Sequence, residues 1–222
     1  MRIRRAILCS LVMLLAACGE EPVKDTAIDK AVVLELFTSK RCEDCVEADA
    51  FLKKLADNPS VIALACHVST HDNASGRDEF ALDECGTRQK TYEQYHNRGT
   101  FTPQVIVNGG EALIGTRQKA IMDAVSKVHG VKKMYLSMMG LRVSVSLLNS
   151  FGAGDYFLTL YGVKRGGENT PNLVTQLVPL GPWKGDGRGI TTDLTTDADG
   201  AVLVVQETAS GRIVGAGQYF KN

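Results

Sequence analysis

The sequence predicts an α/β domain of element order βαβαββα over residues 31–130, followed by an all-β, sandwich-like unit over residues 131–222. Three observations carry this reading. Short β-rich runs alternate with helical stretches as far as Gly130, and helical signals stop there. Just beyond that break Leu141, Val143, Val145 and Leu147 alternate with Arg142, Ser144 and Ser146, the period of a half-buried strand. The chain has 222 residues, 44% of them apolar, which is enough for one large or two small domains with a real core.

Before the first element lies a segment that is not fold. Arg2, Arg4 and Arg5 precede a short apolar stretch, Ala6 to Ala16, which closes on Leu15-Ala16-Ala17-Cys18. The apolar run is about half of the roughly 20 residues a spanning helix needs, so residues 1–17 read as an export signal. Small residues before a cysteine, with Gly19 after it, resemble a bacterial lipobox; the alternative is an ordinary secretory signal with an incidental cysteine. On the lipobox reading the chain is cleaved before Cys18 and Cys18 is acylated. That anchors the protein to an envelope membrane facing the periplasm, on the outer membrane in preference to the inner. Several acyl chains hold firmly, at ~0.8 kcal/mol per buried CH₂, where one chain is marginal. Residues 18–30 then form a polar tether.

The remaining elements follow in order. AVVLELFT at 31–38 is a strand, and a helix runs from Cys42 or Cys45 to Asp57, with Val46, Phe51, Leu52 and Leu55 near one face and Asn58-Pro59 as its stop. VIALACHV at 61–68 is an unbroken apolar run, as in a strand covered on both faces. A polar loop over 69–80 leads to a second helix over about 81–97, with Leu82, Tyr92 and Tyr95 as its apolar contacts. QVIVN and EALIG flank Asn108-Gly109-Gly110, a hairpin signal because glycine supplies positive φ. Thr116 to His129 forms a third helix on Ile121, Val125 and Val128. Beyond it, YFLTLYGVK at 156–164, LVTQLVPLG at 173–181 and a hairpin over 201–220 turning at Ser210-Gly211 make the all-β unit.

Charge narrows function by exclusion. Lysine plus arginine and aspartate plus glutamate each number 25, and removing residues 1–17 leaves 22 basic against 25 acidic residues, so nothing recommends a nucleic-acid partner. Of the six cysteines, Cys9 leaves with the signal and Cys18 carries lipid, leaving Cys42, Cys45, Cys66 and Cys85 in an oxidising compartment. Three pairings of four thiols are open. For Cys66 and Cys85 these include a structural disulfide, two free buried thiols, or a relay to the other pair.

The order of strand, C-x-x-C at a helix start, strand, helix and Thr-Pro before a third strand resembles the thioredoxin fold over residues 30–130. VVLELFTSKRCEDCVEAD at 32–49, HVSTHD at 67–72, RQKTYEQY at 88–95, FTPQVIVNG at 101–109 and LVPLGPWKG at 177–185 resemble an exported bacterial family catalogued as a domain of unknown function. Its members join a thioredoxin-like domain to a β-rich tail. The resemblance implies a redox centre in which Cys42 is the nucleophile, Cys45 resolves the mixed disulfide, and Pro103 is a cis-proline facing them. Partners would be protein or small-molecule disulfides and thiols, with no organic cofactor.

Physical chemistry supports a redox pair independently, since a thiolate at a helix N-terminus faces unsatisfied N–H groups and a partial positive charge. Glu43, Asp44, Glu47 and Asp49 compete for that field, while Lys40 and Arg41 oppose them. The expectation is a Cys42 less acidic than in strong oxidants, suited to reducing or isomerising disulfides. Thioredoxins carry a buried acid six positions before the first cysteine; here that position is Leu36, and alternation sends Glu35 to the other face of the strand. Two other functions stay open: a non-catalytic envelope binding module stiffened by disulfides, and copper or zinc handling through Cys42, Cys45, His67 and His71, with Cys66 nearby. Trp183 reads as a packing anchor, and the glycines at 185, 187 and 189 open no helix that could cradle phosphate.

Overall fold

The computed structural model describes residues 31–147 and 151–221; the export signal, Cys18 and the tether lie outside the described residues. Among the described residues no helix is long and apolar enough to cross a membrane. The first half contains β1 (Val32–Thr38), α1 (Cys45–Ala56), β2 (Val61–His67), α2 (Asp83–His96), β3 (Gln104–Val107), β4 (Ala112–Ile114) and α3 (Gln118–Lys127). After these come only strands: β5 (Lys132–Lys133), β6 (Tyr135–Met139), β7 (Arg142–Leu147), β8 (Tyr156–Lys164), β9 (Asn172–Trp183), β10 (Arg188–Asp193), β11 (Gly200–Glu207) and β12 (Ile213–Phe220).

Nine strands form one mixed sheet in the order β4-β3-β1-β2-β9-β8-β11-β12-β5, and β10-β7-β6 form a second, antiparallel sheet. The boundary expected near residue 130 is therefore a change of grammar along the chain but not a break in the sheet. β2 runs parallel to β9, with Leu64 opposite Asn172 and Ala65 opposite Leu173. All seven residues of β2 are buried, as in a strand covered on both faces.

Side-chain alternation sorts the interior into three cores. Val32, Leu34 and Leu36 meet α1 and α3 on one face of the sheet, together with Leu52, Ile121 and Val125. Val33, Phe37, Leu64 and Cys66 face α2 on the other, continuous with Tyr161, Val163, Val202 and Val204. The three-stranded sheet covers the opposite face of β8 and β11, burying Leu158, Leu160, Leu203 and Trp183.

Two helices differ from expectation. Val46 is 70% exposed, because the buried stripe of α1 runs through Cys45, Ala48 and Leu52, spaced three and four apart, and Val46 sits about 100° off it. The inner face of α2 is largely polar, with Cys85, Arg88, Gln89 and Tyr92 buried. Its partners across the sheet explain this. Arg88 donates from Nε and Nη2 to the two oxygens of Glu35 at 2.7 and 3.0 Å, Tyr92 and Tyr161 donate their hydroxyls to the same carboxylate, and Gln89 donates to Gln104 at 2.9 Å. Burial would raise the Glu35 pKa, but the Arg88 charge and these hydrogen bonds outweigh it and hold Glu35 below the ordinary carboxylate range.

Candidate functional site

The site is built at the carboxyl ends of β1 and β2. After Thr38 the chain turns through buried Ser39, whose carbonyl accepts from Cys42 N at 3.1 Å and whose Oγ accepts from Arg41 N at 3.1 Å. Cys45 is the first residue of α1, and Cys42 lies in the turn just before it. The two are joined by a disulfide with Cα atoms 5.3 Å apart. Both sit where the unpaired N–H groups of the helix start. They are well covered, Cys42 being 7% exposed and Cys45 1%.

Pro103 follows a cis peptide bond at Thr102. It lies beside the first turns of α1: a Cβ added to Gly115 would stand 2.7 Å from the Pro103 Cβ and 2.8 Å from the Ala48 Cβ. That lack of space explains the glycine. His71, in the turn after β2, meets Thr102 Oγ1 through Nε2 at 2.6 Å. The structure thus brings Cys42, Cys45, Pro103 and His71 to one end of the sheet.

The loop after β2 straps down the turn that carries Cys42. Asp78 accepts from Lys40 N at 2.8 Å, Glu79 pairs with Lys40 Nζ at 2.5 Å, and Lys40 Nζ stands 4.0 Å over the Phe80 ring. Arg41 donates to Ser75 Oγ at 3.0 Å. Lys40, which sequence reasoning sets against the acids around Cys42, is thus already paired. Asp78 also meets His67 Nδ1 at 2.7 Å; burial opposes its ionisation, yet His67 and the N–H groups of Lys40 and Phe80 keep it below the usual carboxylate range.

Sequence reasoning counts Asp49 with the acids that compete for the field at the helix start, and the structure sets it apart from them. It lies one turn after Cys45 on the same side of α1, the spacing at which helical side chains are neighbours. Its Oδ2 accepts from Thr38 Oγ1 at 3.1 Å, while Oδ1 is buried with no hydrogen-bond partner among the described residues. Desolvation pushes its pKa up from 3.8 to about 6, with the Asp78 charge adding to the rise and His67 and Thr38 opposing it. The signal was in the spacing: an acid four residues after a cysteine on the sheet-facing stripe. The acidic charge at 43, 44 and 47, by contrast, is exposed.

The metal constellation does not assemble. Cys66 is bonded to Cys85 with Cα atoms 5.4 Å apart, His67 is engaged by Asp78 and His71 by Thr102. Among the described residues no group of three histidine, cysteine or acidic side chains is placed to hold a metal ion. The Cys66–Cys85 bond lies in the core under α2, so β1 and β2 stand between it and the α1 face where Cys45 sits. Trp183 is 1% exposed and packs edge-on against Phe151, as an anchor would.

Fold and site together define an α/β protein with a disulfide-bonded C-x-x-C pair at a helix N-terminus and a second, buried disulfide behind the sheet. The chain belongs to a protein family of unknown function, DUF1223, whose profile matches residues 33–150. Its structure is similar to the crystal structure of protein AGR_C_4864 from Agrobacterium tumefaciens, with 25% sequence identity and a TM-score of 0.74, over 86% of this chain and 94% of that one. That likeness extends beyond the family match, so strands after residue 150 belong to the shared fold. A β-glucosidase from Kluyveromyces marxianus aligns over 40% of this chain and 13% of its own, at 8% identity and a TM-score of 0.22, and carries no argument. No curated protein matches the chain. Both disulfides fit an oxidising, extracytoplasmic compartment.

Proposed function

We propose that this chain is a thioredoxin-like protein, lipid-anchored in the envelope through Cys18, that exchanges disulfides with protein or small-molecule thiols through Cys42 and Cys45. The observation that supports it most is the pairing of the Cys42–Cys45 bond with the half-satisfied carboxyl of Asp49, whose Oδ1 has no partner among the described residues, one helical turn away. Starting from the disulfide, a substrate thiolate attacks Cys42 Sγ; the Cys42–Cys45 bond breaks and Cys45 leaves as a thiolate. Protonated Asp49 supplies that thiolate with its proton. A second substrate thiolate then attacks the substrate sulfur of the mixed disulfide, and Cys42 leaves. Two electrons have moved from two substrate thiols to the Cys42/Cys45 pair; reduction of a substrate disulfide is the reverse, with Asp49 receiving the proton. The paired state of Lys40 favours a Cys42 of modest acidity, hence reduction or isomerisation over oxidation.

One observation favours a second reading. The low exposure of both cysteines suits a non-catalytic binding module in which the pair is only a staple. Thiol trapping of the mature protein across a series of redox buffers, with mass-spectrometric mapping, separates the two. Cys42 and Cys45 titrating together near cellular potentials while Cys66 and Cys85 stay locked supports exchange. A Cys42–Cys45 bond that resists every mild reductant sinks it.

A further inference from the structure

A cavity of about 360 Å³ opens between α2 and the faces of β8, β9 and β11, on the opposite side of the sheet from α1. That volume is in the range of small-molecule pockets and too small for a folded partner. Its floor is polar. Thr159 is 5% exposed and lines the cavity. Arg88, also on the floor, uses Nε and Nη2 on Glu35 and Tyr92 and one Nη1 hydrogen on Gln206 at 3.0 Å. A guanidinium has five N–H groups, so one on Nη1 remains. Gln206 is engaged at both ends of its amide, the oxygen accepting from Arg88 and the nitrogen donating to the Gly211 carbonyl.

The walls are apolar: the half-buried Tyr95 and Leu177 with Phe157 and Pro179. Charge then selects the ligand. Arg88 is neutralised by Glu35, Glu207 is paired with Arg212, and Glu84 adds negative charge to the lining, so the cavity offers an anion no net positive charge. We infer that this cavity binds a small uncharged amphiphile whose carbonyl oxygen accepts from Thr159 and Arg88 while its apolar body lies against Leu177 and Phe157. The site is independent of the dithiol.

The test uses the full mature chain and the neutral fluorophore N-phenyl-1-naphthylamine, displaced by molecules of equal carbon number: 2-octanone, octanoate and octylamine. The expected result is saturable fluorophore binding from which 2-octanone displaces best. Thr159→Val, which keeps the shape and removes the hydroxyl, should weaken 2-octanone about 2- to 10-fold, the worth of one neutral hydrogen bond, and leave the fluorophore unchanged. Leu177→Trp should fill the cavity and abolish binding. If that variant fails to fold, Thr91→Phe narrows the cavity from the surface of α2 and should weaken binding in the same way. Binding that survives both filling variants, octanoate or octylamine displacing as well as the ketone, or no saturable binding at all would each overturn the proposal.

Discussion

Two buried carboxylates on opposite faces of the same strand region live in contrasting surroundings. Glu35 faces α2 and is satisfied on both oxygens by Arg88, Tyr92 and Tyr161. Asp49 faces β1 from α1 with one oxygen bonded to Thr38 and the other alone. The first ties β1, α2 and β8 together as an ion pair that must not be broken. The second is held near the pH at which protons move, beside a cysteine. Burial alone does not decide whether an acid is structural or chemical; the number of donors around it does.

The largest effect should come from breaking the satisfied side. Arg88→Met leaves Glu35 buried and uncompensated and should cost about 3–5 kcal/mol in urea unfolding, with Cys42/Cys45 exchange in the surviving folded fraction unchanged. Because Glu35 is depressed from 4.5, the wild-type pair stabilises above that pH and loses its contribution only as pH falls through the lowered folded value. Loss of stability already near pH 6 in the wild type, traced to Glu35, would contradict its placement as a fully paired group.

On the other side the sign reverses. Asp49 is raised from 3.8 to about 6, so its ionisation weighs against the folded state, with no penalty below 3.8 and the full penalty above 6. Asp49→Asn should therefore stabilise the protein by up to about 3 kcal/mol at pH 7.5, fading to nothing near pH 4 in unfolding curves taken across pH. The same variant should slow exchange and remove the inflection near pH 6 from its rate profile. Cys66→Ala with Cys85→Ala should cost about 3 kcal/mol and leave the redox titration of Cys42 and Cys45 in place. Smallest of all, Glu79→Gln frees Lys40 and should shift the pH dependence of Cys42 alkylation in the reduced protein slightly downward; an upward shift would remove Lys40 from the electrostatics of the site.

Much of the local structure was legible. The runs at 32–38 and 61–67 announce themselves by apolar density, Asn108 and Gly109 adopt φ of 48° and 66° as their turn requires, and Tyr156–Lys164 is a strand end to end. Alternation also sends Glu35 away from α1. What alternation does not carry is a partner. The polar inner face of α2 reads as weakly amphipathic until Glu35 and Gln104 are seen opposite it, and Asp49 reads as one acid among four until its neighbours are known. The pairing of β2 with β9 has no local signal, since only two residues of each strand meet.

That brief seam has a consequence for biogenesis. Residues 64 and 172 are more than a hundred positions apart, so β2 keeps a bare hydrogen-bonding edge until the C-terminal strands have been delivered. In the nascent chain the apolar VIALACH strand is therefore a sticky ribbon, open to pairing with other chains at the stage when long-range contacts are slowest to form. Truncation ahead of residue 172 should yield aggregates instead of a free N-terminal domain, a difference that size-exclusion chromatography of the truncated and full chains checks.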